Sequence, residues 1–234
     1  MRRTMLYISM AMIACVMLFS AKANAQRTPD IQAFKKLKVS GAYTLSLKQG
    51  NEYSLRMEGP DDKLDKVEIS NQGNTLEIGT KRNTSERWTN FDDVKIFITY
   101  RDLSEINISG ACNITTDGQM KVDDLKLDIS GAGELTIDLK ANSLDTDISG
   151  AASVELRGSV DTHDIELSGA GTYSAYELES KDVDVTSSGA GTVKVHASNR
   201  LNANASGVGS IYYKGDPSDT HLNTSGMGKI KNKN

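Results

Sequence analysis

From residue 109 onward the chain is built on one small unit, Ser-Gly, at 109–110, 130–131, 149–150, 168–169, 188–189, 206–207 and 225–226, with an earlier copy at 40–41. Successive glycines of the last seven copies lie 21, 19, 19, 20, 18 and 19 residues apart. A fixed period near 19 restricts the fold more than any composition does, because a unit this short cannot bury a face alone and must stack on its neighbours. Aligned on that glycine, the next residue is Ala111, Ala132, Ala151, Ala170, Ala190, Val208 and Met227, and the one after it Cys112, Gly133, Ala152, Gly171, Gly191, Gly209 and Gly228. Small side chains are required at the corner. Four residues after the glycine stands an apolar column without exception, Ile114, Leu135, Val154, Tyr173, Val193, Ile211 and Ile230. Two before it come Ile108, Ile129, Ile148, Leu167, Ser187, Ala205 and Thr224.

Between the corners apolar and polar residues alternate, as in Leu125-Lys126-Leu127-Asp128-Ile129 and Leu135-Thr136-Ile137-Asp138-Leu139. Period two is the signature of strand, and no segment carries a helical stripe. A repeat of this length is too short for helix-containing solenoids of the 33-residue type, so stacked coils of a parallel β-helix satisfy it best. Crossovers between parallel strands are right-handed in about 98% of cases, which predicts a right-handed coil. Corner glycines fit either a positive φ or a close approach of two backbones. The fold expected is all-β, with regular repeats over 101–234 and degenerate coils over 33–100. Lys38-Val39-Ser40-Gly41-Ala42 opens that looser part, and Val67-Glu68-Ile69-Ser70-Asn71 resembles a worn copy. Residues 61–65, after Pro60, fit a single helical turn, and Lys81 to Asp93 reads as a polar loop carrying Trp88.

The first 25 residues stand apart. Arg2 and Arg3 precede an apolar run from Met5 to Phe19, followed by Ala23-Asn24-Ala25, a small-x-small cleavage site. This is the anatomy of a secretory signal peptide over 1–25, which leaves a short leader at 26–32 and one β-helix domain over 33–234. Met12-Ile13-Ala14 is a poor approach to a lipidated cysteine, so Cys15 is read as part of the apolar run. Only Cys112 follows it, and one cysteine makes no intramolecular disulfide. The whole chain holds 27 basic against 31 acidic side chains. Cleavage would remove Arg2, Arg3 and Lys22 but no acid, so the remainder is more acidic still and nucleic acid is excluded as an expected partner. No later stretch reaches the roughly 18 apolar residues of a membrane span.

The Val-Ser-Gly-Ala at 39–42, Glu58-Gly59-Pro60, the Ile-Ser-Gly-Ala at 108–111 and the serial Ser-Gly-Ala units after it resemble the head GIN domain family of autotransporter adhesin heads, over roughly 33–230. The resemblance implies an exported Gram-negative envelope protein with a β-helical fold and supplies no catalytic residues. The long anchoring barrel that self-transport across an outer membrane requires is not part of this sequence.

The candidate chemistry lies in columns. Three residues before the glycine come Asp128, Asp147 and Glu166, flanked by Asn107 and Thr186, and a neighbouring column holds Asp145, Asp164 and Asp184. Stacked carboxylates about 4.8 Å apart repel one another, and a hard cation such as calcium, which takes six to eight oxygens, would relieve that repulsion. The plainer reading is a solvated acidic face with Lys126 nearby. Such a ladder also admits a calcium-assisted polysaccharide-cleaving enzyme, but Arg157 and Arg200 fall outside the acidic columns, and His163, His196 and His221 occupy three different repeat positions. Gly-x-Gly units such as 131–133 are followed by strand instead of helix and so form no phosphate loop. Cys112 stands in the small-residue column, which fits a packed side chain. Tyr173 and Tyr213 fall on inward columns, whereas Tyr176, Tyr212 and Trp88 are candidates for stacking on sugars. No cofactor beyond that calcium is called for. The expectation is a non-catalytic module in the periplasm, at the outer surface or outside the cell, binding polysaccharide or another envelope protein.

Overall fold

Each stretch of period-two alternation forms strand, and the coils stack into a β-solenoid of about seven turns. The computed structural model describes residues 25–81 and 93–234. The irregular part comprises β1 (Ala25–Arg27), β2 (Lys36–Val39), β3 (Thr44–Gln49), β4 (Ser54–Gly59), the one-turn helix α1 (Asp61–Leu64), β5 (Val67–Gln72), β6 (Thr75–Thr80) and β7 (Lys95–Tyr100). The regular part continues with β8 (Glu105–Ile108), β9 (Ala111–Thr116), β10 (Met120–Lys121), β11 (Asp124–Ile129), β12 (Ala132–Ile148), β13 (Ala151–Leu167) and β14 (Thr172–Ser187). It ends with β15 (Thr192–Ala205), β16 (Ser210–Lys214), β17 (Asp219–Thr224) and β18 (Lys229–Asn232).

From β8 onward the pairings are parallel, and the register is the one the glycines define: Asp128 pairs with Asp147 and Asp147 with Glu166, while Ile114 pairs with Leu135 and Leu135 with Val154. The strand before each glycine lies on one flank and the strand after it on the other. Inward columns are closed to solvent, including Ile108, Ile129, Ile148 and Leu167 before the corner and Ile114, Leu135, Val154, Tyr173, Val193 and Ile211 after it.

The corner glycines answer to close approach. A Cβ built on Gly131 would lie 1.9 Å from the carbonyl oxygen of Gly110, and one on Gly150 equally close to that of Gly131. Neither residue has a positive φ. Backbones that stack this tightly leave no room for any side chain, and that fixes the glycine column.

The uneven spacings are absorbed where they do least harm. In the 20-residue repeat the register between β13 and β14 shifts between Glu155 and Arg157, and that between β14 and β15 shifts after Ala175. Tyr176 sits in this bulge, outside the regular pairing.

The first hundred residues stack out of chain order. β2 lies between β6 and β8, and β3 between β7 and β9, all parallel, so the coil made by β2 and β3 is inserted between a later coil and the regular repeats. The stretch read as a worn copy, β5, is an antiparallel edge strand on β6. The reason is the tight Gly73-Asn74 turn, with φ +59 at Gly73, because a short connection can only return the chain antiparallel. β4 runs antiparallel to β7, and β1 antiparallel to β4. β1 is therefore an edge strand, with Arg27 ion-paired to Asp61 and, at 2.6 Å, to Asp65.

Replacing Val154 with Asp should destabilise the protein by about 3–5 kcal/mol, since it buries an unpaired charge between Leu135 and Tyr173. Thr136→Asp, half-exposed on the same flank, should stay below about 1 kcal/mol. Denaturant melts of the two variants that moved by similar amounts would reverse the inside and outside assignment.

Candidate functional site

The acidic columns form as two in-register rows on the outside of the flank that precedes the glycine. Asp128, Asp147 and Glu166 occupy one row and continue into Thr186; Asp145, Asp164 and Asp184 form the next. The coil spacing makes like charges neighbours, and the fold answers with cations and amides. Lys126, which pairs in register with Asp145, places its ammonium 3.6 Å from Asp128 and 3.3 Å from Asp147. At the other end Arg200 reaches Asp184 at 2.8 Å, and the Asn202 amide donates to the same carboxylate at 2.6 Å. The backbone of Arg200 is in line with Asp182, as the alignment places it, but the long side chain reaches diagonally, which column counting does not show. Partial burial raises the pKa of Asp128, and Lys126 pulls against it. Burial also raises that of Asp164, aided by Asp184 and Asp145 on either side. Among the described residues, no group of three or more His, Cys, Asp or Glu is arranged to hold a metal ion.

Inside the solenoid is a polar cluster that spacing alone did not announce. His163 is buried, with Nε2 2.6 Å from the Tyr173 hydroxyl and Nδ1 3.3 Å from Ser180 Oγ, and the Tyr173 hydroxyl lies 3.2 Å from Thr146 Oγ1. Serine, histidine and a hydroxyl within reach of one another suggest acyl transfer, yet all four side chains are at most 1% exposed, so no substrate can meet them. The available signal was the column itself, in which His163 pairs with Leu144 on one side and Val183 on the other. Burial pushes the imidazole pKa down to about 3. Cys112 is buried with Sγ 3.2 Å from the Gly41 carbonyl, and burial raises its thiol pKa, as suits a packed side chain.

The aromatic candidates separate cleanly. Tyr173 is in the core, and Tyr213 is partly buried against it. Tyr176 and Tyr212 are half-buried on the outside of the flank that follows the glycine, next to lysines: Lys214 Nζ lies 4.6 Å and Lys194 Nζ 6.0 Å from the Tyr176 ring centre, and Lys233 Nζ 5.3 Å from that of Tyr212. Trp88 and the signal segment before Ala25 lie outside the described residues. Among those residues no helix is long and apolar enough to cross a membrane.

A parallel β-solenoid with chemically distinct outer rows and an inaccessible interior defines a class of surface-presenting scaffolds. Within that class, the family model described as "Putative auto-transporter adhesin, head GIN domain" matches residues 33–217, and the chain belongs to that family. No curated protein matches. A crystal structure from Bacteroides fragilis described as a "putative adhesin" is 27% identical, covering 91% of this chain and 98% of its own, with a TM-score of 0.86. One from Parabacteroides merdae, also described as a "putative adhesin", is 20% identical over 90% of this chain and 96% of its own, with a TM-score of 0.70. A "putative lipid binding protein" from Parabacteroides distasonis is 21% identical over 90% of this chain and 97% of its own, at 0.72. The two less similar structures bear on the fold alone.

Two outcomes follow from these rows and this core. With Lys126 between Asp128 and Asp147, the melting temperature of the wild type should not respond to millimolar calcium at matched ionic strength, whereas Lys126→Ala should become calcium-responsive through preferential binding to the folded state. A calcium-dependent rise in the wild type would assign a metal to the ladder. The second concerns pH. An unfolded His163 takes up a proton near 6.5, but the folded one does so only near 3, so the unfolded state binds more protons throughout that window. Its contribution is complete above about 6.5 and is lost progressively as pH falls toward 3. Urea melts at pH 7 and pH 5 should show a steeper loss for the wild type than for His163→Leu; equal slopes would refute the assignment.

Proposed function

We propose that the protein is an exported, non-catalytic module of the cell envelope that holds an extended ligand, a polysaccharide or another surface protein, against the flank of its solenoid. Tyr176 and Tyr212, with Trp88, supply its glycan contacts. The observation that carries this reading is the in-register repetition of outward side chains along the coils, as in Lys194, Tyr212 and Lys231, which suits a ligand that is itself repetitive. The secretory anatomy of residues 1–25 supports export, and the adhesin descriptions of the family and of the Bacteroides fragilis relative agree with a binding role.

Two arrangements support binding without catalysis. His163, the histidine that meets a serine and a phenol, is sealed in the core. The acidic rows carry a cation at each end, Lys126 by Asp147 and Arg200 by Asp184, and lie on the open outside of the flank. Surface presentation is the location this reading expects. The test is a glycan array and an envelope-protein overlay probed with the purified exported protein, followed by incubation with every bound polysaccharide. Retention without release of new reducing ends is expected. Chain cleavage would establish the enzymatic alternative, and an absence of binding to any glycan or envelope protein would remove the proposal.

A further inference from the structure

The described lysines of this acidic protein differ in what holds them. Lys35, Lys36, Lys38, Lys48, Lys126 and Lys181 each lie within 4.0 Å of a carboxylate. Among the described residues, Lys194, Lys214, Lys229, Lys231 and Lys233 have no such partner within that distance, and neither do Lys95, Lys121 and Lys140 on earlier coils. The first five gather on the last coils of one flank, where tyrosine rings stand among them. Lys194, Tyr212 and Lys231 follow one another in register on successive coils, Lys229 pairs with Ser210 beside them, and Lys214 pairs with His196 in the next outward row. Tyr176 enters from the bulge in β14, between Lys194 and Lys214.

Unpaired like charges on adjacent coils repel, and an ammonium on a free side chain would swing away into water. Here cation–π contacts hold three of them down: Lys194 and Lys214 on Tyr176, and Lys233 on Tyr212, all within the roughly 6 Å over which such contacts attract. The rings thus preorganise positive charge, and the order along the coils alternates ammonium, ring, ammonium. We propose that this face binds an acidic polysaccharide, with the lysines taking carboxylate or sulfate groups and the tyrosine rings packing against the pyranose faces between them. The coil repeat of about 4.8 Å is close to the length of one pyranose along a chain, so successive sugars can meet successive coils. This assignment rests on the reading of the protein as an envelope-binding module and adds to it the ligand class and the face.

Other polyanions fit less well. A bilayer surface calls for aliphatic side chains beside the lysines, but the exposed aliphatics of this end, Val208 and Met227, stand at the corners, and Leu222 lies on the opposite flank. A nucleic acid duplex would be broad enough to meet Glu155, Glu177 and Glu179 on the neighbouring coils.

The experiment measures binding of the exported protein to immobilised polygalacturonate, to its fully methyl-esterified and uncharged form, and to vesicles containing phosphatidylglycerol. Each is repeated with Lys194→Gln/Lys214→Gln/Lys231→Gln, with the control triple Lys95→Gln/Lys121→Gln/Lys140→Gln from coils several turns earlier in the solenoid, and with Tyr212→Leu, all checked for wild-type melting. Polygalacturonate should bind, weakening on the order of tenfold with the first triple and hardly at all with the control, since a charge-assisted contact is worth one to a few kcal/mol. Esterification should cost a similar factor, and Tyr212→Leu, which leaves net charge unchanged, should cost several-fold on the polysaccharide and nothing on vesicles. Equal loss in both triples would reduce the effect to net charge and overturn the proposal. So would tighter binding to vesicles than to polygalacturonate, or sedimentation showing that the first triple disperses a self-associated protein, which would make a second copy's acidic rows the occupant. Neutral glycans bound as well by the triple as by the wild type would overturn this assignment but leave the broader binding role intact.

Discussion

The structure depends on one contact, the approach of each corner glycine to the carbonyl oxygen of the glycine in the coil before it. A Cβ at Gly131, Gly150 or Gly169 would come within 1.9 Å of that oxygen, a distance no relaxation of a flexible side chain could relieve, because the obstacle is backbone. Removing the Cβ lets the corners stack, and stacked corners let Ala111 donate to the Gly41 carbonyl at 2.7 Å and Ala132 to Gly110 at 3.0 Å. Once the corner is locked in this way, every residue a fixed distance from it is locked as well. A one-residue slip would turn a whole strand inside out, so the glycine sets the register, and the register places Ile129 on Ile148 and Asp128 on Asp147.

Stacking like on like is favourable inside and costly outside. In the core it yields apolar columns that exclude water over the length of the solenoid. On the surface the same geometry would place carboxylates in a row, and the protein interrupts the row: Lys126 replaces an acid at one end, Arg200 and Asn202 reach Asp184 at the other, and beyond it Asn204 and Asn223 continue as an amide ladder at 3.1 Å. The lysine face on the other flank is relieved differently, by aromatic rings in place of counter-charges. An ion pair neutralises a lysine, whereas a ring beneath it fixes its position and leaves its charge available.

The sequence alone was enough to read the regular coils, because a single anchor residue aligned seven copies and the strand period did the rest. Val154, Tyr173 and Cys112 are where that alignment places them. The insertion of β2 and β3 between later strands was not legible, since stacking order is decided by which edges meet in space and neighbouring copies there share no common spacing. Nor was the contact of Arg200 with Asp184, a diagonal reach of a long side chain. His163 was legible in principle: its column partners Leu144 and Val183 are apolar, but a histidine draws attention to chemistry before burial. Trp88 sits in a segment with no alternation at all, where the argument from period has nothing to act on.

The irregular repeats show how a rigid stack can still vary its surface. The repeat from Gly169 to Gly189 is one residue longer than the one before it and two longer than the one after it. The inward pairs Tyr173 with Val193 and Ala175 with Val195 remain in register, so the mismatch is taken up after Ala175, at an outward position. Tyr176 is the residue pushed out. Nearby the core grows lighter, with Ser187, Ala203 and Ala205 in columns that elsewhere hold leucine and isoleucine, and Ser187 Oγ is buried with no hydrogen-bond partner among the described residues. An unsatisfied hydroxyl costs about 1–3 kcal/mol, and smaller side chains bury less apolar surface. These coils are therefore held less by their interior than the middle ones are, and more by backbone pairing and outward contacts. That is the end of the solenoid where Lys194, Lys214 and Lys231 gather with the half-buried Tyr176 and Tyr212, so the stretch least constrained by packing carries the most distinctive surface.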